Sequence, residues 1–229
     1  MTVQVRQNES RRRLFLLGAL AVAWTGPARA EGDLNARGLT FRDFAVDDGG
    51  ASLNKGGESV VTGTQPDQHA ARVVDIDRAN GFARVHFDPV KIEVAVPLGW
   101  QTSEDWERGV AYSADRSYRL ILWKVDFAFE GVKDAEHYAA TKAGTIQSRR
   151  KGVQAQARRL DDGSCLVVYE NVSAGDAGRE KRTVFDLVVP NPKDAKQGAL
   201  LTLGVPAADG RRGLGLLALL KQSLRIDWQ

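Results

Sequence analysis

The residues of this chain best suited to metal ligation or nucleophilic attack are three histidines, His69, His86 and His137, and one cysteine, Cys165. No two histidines are three or four residues apart, so a zinc or copper site would need three distant elements to converge. Cys165 lies in Ser164-Cys165-Leu166-Val167-Val168-Tyr169, which reads as a buried strand. A thiol in apolar surroundings has a raised pKa and behaves as a small core hydrophobe. With so few histidines, a Ser–His or Cys–His pair has little to draw on, and no G-x-S-x-G elbow occurs. Asp47-Asp48, Asp75-Ile76-Asp77 and Asp161-Asp162-Gly163 are oxygen-rich, but none has EF-hand spacing, and each reads as a turn. Gly213-Leu214-Gly215-Leu216-Leu217-Ala218 fits G-x-G-x-x-A. The strand and parallel-strand context of a nucleotide site is missing, so the glycines read as close helix packing. Glu104, Asp105 and Glu107 surround Trp106; a carboxylate pair of a hydrolase is one reading, the acidic first turn of a helix the plainer one. The sequence therefore yields no catalytic, cofactor-binding or metal-binding residue. What remains is aromatic: Trp100 and Trp106 flank one loop and are the candidate binding residues, since tryptophans near loops suit protein or ligand contacts.

The elements that must carry these residues follow from periodicity. Residues 31–83 are weakly patterned and broken by glycine pairs, with short strands expected only at 39–46 and 73–76. From residue 84 the pattern sharpens. Ile92, Val94 and Val96 alternate with Lys91, Glu93 and Ala95, a half-buried strand closed by Pro97-Leu98-Gly99-Trp100. Residues 109–113 and 118–127 form a hairpin. Ile121, Trp123, Val125 and Phe127 share one face, and Leu120 and Leu122 make the other apolar, so that strand is expected to be central and covered on both sides. The period then becomes helical between Lys133 and Arg150, with Gly152 as the stop. Strands follow at 153–159, 165–171, 183–189 and 199–205, and a last helix at 213–226. Short turns between consecutive strands argue for an antiparallel sheet flanked by helices, an α+β domain.

The first 30 residues have a different character. Arg11-Arg12-Arg13 precedes an apolar run from Leu14 to Trp24, and Ala28-Arg29-Ala30 follows. This is the layout of an export signal cleaved after Ala30. Arg12-Arg13-Leu14-Phe15-Leu16 matches the R-R-x-F-L core of twin-arginine signals, and the apolar run is shorter than the ~20 residues a membrane-spanning helix needs. The mature protein is thus expected in the periplasm, without a membrane span. The signal holds Arg6, Arg11, Arg12, Arg13 and Arg29 against Glu9. Removing it takes 32 basic and 29 acidic residues to 27 and 28, a net charge of −1. Such a chain has no charge excess to recruit nucleic acid.

From residue 84 onward the order of elements, the stretch Ile92-Glu93-Val94-Ala95-Val96-Pro97-Leu98-Gly99-Trp100, the hairpin, the 134–150 helix and the closing Ser223-Leu224-Arg225-Ile226 resemble the PsbP-like superfamily. The resemblance implies a central antiparallel sheet between helices, an α/β/α sandwich. It implies a protein that works by binding, as photosystem subunits, a nuclear transport regulator and type VI secretion adaptors do, with no shared catalytic residues. It offers nothing for residues 31–83. The expected organisation is an export signal at 1–30, an extension at 31–83 and an α+β domain at 84–229. The expected role is an exported, non-catalytic accessory protein that binds a partner protein. The alternatives are a carrier holding a small apolar ligand between sheet and helix and, behind it, a hydrolase.

Overall fold

The computed structural model describes residues 34–46, 69–174 and 180–228. The segment expected to be an export signal, Asp47-Asp48 and much of the expected extension lie outside them. The order is β1 (Arg72–Asp77), β2 (Phe82–Phe87), β3 (Ile92–Pro97), β4 (Gln101–Glu104), β5 (Arg108–Tyr112), β6 (Arg119–Asp126), α1 (Ala135–Arg149), β7 (Gln154–Arg159), β8 (Cys165–Ala174), β9 (Glu180–Asn191), β10 (Asp194–Pro206), α2 (Gly210–Ser223) and β11 (Arg225–Ile226). Every strand pair is antiparallel. A seven-stranded sheet runs β4-β5-β6-β10-β9-β8-β7, and a four-stranded sheet runs β1-β2-β3-β11. The α+β class expected from the sequence is the class observed.

Two cores form because both faces of the large sheet are apolar. One face packs against the small sheet and α2. There Val85, Ile92, Val94 and Val96 meet Leu120, Leu122, Leu201, Leu203, Leu216 and Leu220. The other face carries α1, whose Ala135, Ala139 and Ala143 lie on Phe127, Val167, Val188 and Leu200. Alanines every fourth residue let the helix sit close to the strands. Asp134 caps α1, accepting the His137 amide at 2.8 Å, and Gly152 at φ +82° follows the helix as anticipated. The glycines of α2 explain their own pattern. A Cβ on Gly213 would lie 2.9 Å from Val205 methyls, and one on Gly215 2.7 Å from Leu39. They are packing glycines.

Three expectations change. The 39–46 stretch is a short 3-10 turn at Phe41–Asp43, not a strand. The Asp43 carboxylate accepts both the Thr40 amide (2.7 Å) and the Thr40 hydroxyl (3.0 Å), a local bonding pattern that competes with extension. The β6 strand is central but unevenly covered: Leu120 and Leu122 are buried, whereas Ile121 and Trp123 are only partly buried because α1 lies over β7 to β10. The described parts of the extension are not separate from the rest. Leu34, Phe41, Phe44 and Ala71 belong to the main core, Phe41 packs on Phe82 with ring centroids 5.3 Å apart, and residue 84 falls inside β2.

Candidate functional site

The two candidate tryptophans have opposite environments. Trp100 is 1% exposed, and its indole N–H donates to the Phe44 carbonyl at 3.1 Å. Its ring faces Tyr118 at 6.1 Å. Trp100 therefore offers no surface to a partner, contrary to its place as a candidate binding residue. Trp106 is 77% exposed. It stands in the turn between β4 and β5, which is not the helical first turn expected around Glu104, Asp105 and Glu107.

That turn is locked by one carboxylate. Asp105 Oδ1 accepts the amides of Glu107 (3.0 Å) and Arg108 (3.1 Å), and Oδ2 accepts Arg108 Nε at 2.7 Å. Asp105 is pulled below the usual aspartate range although burial opposes it; the amides of Glu107 and Arg108 and the Arg108 guanidinium outweigh that cost. The carboxylate stays charged and the turn stays closed. Arg108 also stacks over the Trp123 ring, 5.4 Å from its centroid. Trp106 is therefore a large apolar side chain on a rigid base, which binds with little loss of backbone entropy.

Neighbouring loops build the surface around it. Phe87 lies flat on β5, where a Cβ on Gly109 would come within 2.3 Å of its ring. This seats the loop after β2 against the Trp106 turn. Asp88 N–H donates to Glu104 Oε2 at 2.8 Å. Glu104 is 3% exposed and meets His69 Nε2 through Oε1 at 3.0 Å. The backbones of His69 and Glu104 also exchange hydrogen bonds of 3.0 and 2.8 Å. His86 Nε2 lies 3.1 Å from Asp88 Oδ1. Burial pushes Glu104 above the ordinary carboxylate value, against the Asp88 amide and His69. Across the sheet, Arg108 of β5 pairs with Trp123 of β6, so β6 ends beside the start of β5. The loop after β6 then exposes Phe129 (89%), its amide held by Asp126 Oδ1. Trp106 and Phe129 rise from one end of the large sheet.

The structure thus brings His69 and His86 onto carboxylates of one patch, while His137 stays at the start of α1. Among the described residues, no three His, Cys, Asp or Glu side chains gather to hold a metal ion. The sequence had one usable signal here: His86 and Asp88 are two apart on an extended segment and so share a side. Nothing local marks His69–Glu104, a contact spanning 35 residues. Cys165 is 2% exposed, and burial pushes its thiol up to about 11. A second buried polar group also escaped the sequence reading. Asp186, 1% exposed, is 2.8 Å from Lys142 Nζ and 2.5 Å from Thr202 Oγ1 beneath α1. Among the described residues, no helix is long and apolar enough to cross a membrane.

No family model and no curated protein matches the chain. Among solved structures it is similar to the Ran-binding protein Mog1p of Saccharomyces cerevisiae, at 10% identity and a TM-score of 0.49, over 63% of this chain and 95% of that one. It is also similar to the cyanobacterial PsbP of Synechocystis sp. PCC 6803, at 16% identity and a TM-score of 0.43, over 64% of this chain and 93% of that one.

Proposed function

We propose that this chain is an exported periplasmic accessory protein that binds a partner protein through the Trp106 end of its large sheet and performs no catalysis of its own. The observation that carries the reading is Trp106, an exposed indole on a turn clamped by Asp105. Tryptophan is among the residue types enriched where protein interfaces are anchored. Phe129, in the loop after β6 at the same end of the large sheet, is a second exposed aromatic side chain. Export rests on the arginine-led signal, its apolar run and Ala28-Arg29-Ala30. The ligand-carrier alternative would need room between a helix and the sheet, and at Gly213 of α2 there is none: a Cβ there would lie 2.9 Å from Val205.

The test is quantitative cross-linking and co-purification from periplasmic extract with the wild type and Trp106→Ala. One stoichiometric protein partner, lost at least about tenfold with Trp106→Ala, supports the proposal; tenfold corresponds to about 1.4 kcal/mol. Retention of that partner by Trp106→Ala would remove this surface from the account. A native mass excess of small-molecule size would favour the carrier.

A further inference from the structure

The two sheets have four outer strands, and three are protected against further pairing. β1 is bulged at Val74, between paired residues Val73 and Asp75. β11 has two residues. The outer side of β4 is met by His69, which exchanges backbone bonds with Glu104. Bulges, brevity and coverage are the usual ways of blunting an edge. Among the described residues β7 has none of these, its one safeguard being the charges of Arg158 and Arg159 at its end. Its six residues, Gln154–Arg159, pair with β8 in unbroken register, and it is the last strand of the sheet.

The direction of its free groups can be derived. Leu160 N–H donates to the Ser164 carbonyl at 2.8 Å. Bonded and non-bonded pairs alternate along an antiparallel ladder, so the next pair, Arg159 and Cys165, is non-bonded. The amides and carbonyls of Ala155, Ala157 and Arg159 therefore point away from β8, out of the sheet.

We propose that β7 is a homodimer edge, on which a second copy of this chain pairs its own β7 antiparallel. Self-complementarity argues for that occupant. Outward-pointing residues must face each other, and at the fullest overlap of the two strands this puts the two-fold axis at Ala157 or Gln156. With the axis at Ala157, Ala155 lies opposite the partner's Arg159, and Gln156 opposite the partner's Arg158. With the axis at Gln156, Gln154 lies opposite the partner's Arg158, and Ala155 opposite the partner's Ala157. In neither register does arginine face arginine, whereas parallel in-register stacking would oppose every one. The helix above agrees independently. α1 packs most heavily on β7, and the ion pair Glu136–Arg159 fixes which flank faces the edge. That flank continues through the exposed Ala140 and Gly144, and a Cβ on Gly144 would meet nothing within 4 Å. Short side chains there admit a partner helix at close range. Because β4 is covered at the far edge, the pairing closes at two copies instead of propagating. It leaves Trp106 at the opposite side of the sheet, so this inference stands or falls apart from the partner-binding proposal.

The test is the mass of the native exported protein by sedimentation equilibrium across micromolar concentrations. Twice the chain mass is expected. Ala157→Pro removes an outward amide while sparing the bonds to β8 and should weaken the dimer at least tenfold. Gly144→Lys, on an exposed flank where folding is not at stake, should do the same. Gln156→Cys should give a covalent dimer with a short bis-maleimide, with the buried Cys165 silent. A monomer at all concentrations overturns the proposal. So does a dimer that Gly144→Lys leaves intact and Gln156→Cys does not link.

Discussion

The indole N–H of Trp100 donates to the carbonyl oxygen of Phe44 across 56 residues of sequence, at 3.1 Å. This bond joins the weakly patterned N-terminal stretch to the first loop of the large sheet. Arg212 of α2 reinforces it, its guanidinium 4.9 Å from the Phe44 ring and its Nη2 donating to the Asp43 carbonyl. The Val46 amide closes the contact on the Leu98 carbonyl at 2.9 Å. Trp100 is thus a structural anchor and Trp106 a presented one.

The two tryptophans should therefore respond in opposite ways to truncation. Trp100→Ala removes a fully buried indole and is expected to cost about 3–5 kcal/mol. Trp106→Ala, on an exposed turn, should change stability by no more than about 0.5 kcal/mol. Urea denaturation of both variants checks this. Limited proteolysis of Trp100→Phe, which loses the indole donor together with part of the buried ring, should show faster cleavage near residue 44.

Asp186 and Lys142 form an ion pair under α1, with Thr202 on the second carboxylate oxygen. Breaking such a pair leaves an uncompensated buried charge. Lys142→Met is expected to destabilise by about 3–5 kcal/mol. The double variant Lys142→Met, Asp186→Leu should recover much of that loss. A double-mutant cycle from chemical denaturation measures it.

Glu104 is raised above its ordinary value of 4.5, first by burial. A carboxylic acid with a raised folded-state pKa holds its proton more tightly when folded than when unfolded. Its contribution to stability therefore falls as pH rises from 4.5 through the folded value. Glu104→Gln removes that dependence while keeping an oxygen for His69. The stability of the wild type relative to Glu104→Gln should decline across this window, and pH-resolved thermal unfolding tests it.

Cys165 is buried, and that burial pushes its thiol up to about 11. At neutral pH the thiolate, the reactive form, is scarce and sheltered. Labelling by a thiol reagent should be negligible in the folded protein and proceed at the rate of opening in denaturant. Fast labelling under native conditions would contradict the buried placement of β8.

The sequence by itself determined whatever depends on near neighbours. Period-two alternation marked β3, the doubly apolar run marked β6, and helical spacing with Gly152 marked α1. The Gly213–Gly215 spacing pointed to packing, and Cys165 to a core strand. Each is a property of a few adjacent residues and of the solvent they avoid. Tertiary structure alone decided the rest. The Trp100–Phe44, His69–Glu104 and Lys142–Asp186 contacts span 35 or more residues, and nothing local selects one partner over another. The same holds for β4. Gln101–Glu104 is too polar to read as a strand, and it becomes one because β5 on one side and His69 on the other take up its backbone bonds. Which of two nearby tryptophans is buried was likewise settled by what folds over them: Phe44 and Tyr118 cover Trp100, while Asp105 holds Trp106 in a turn that faces solvent.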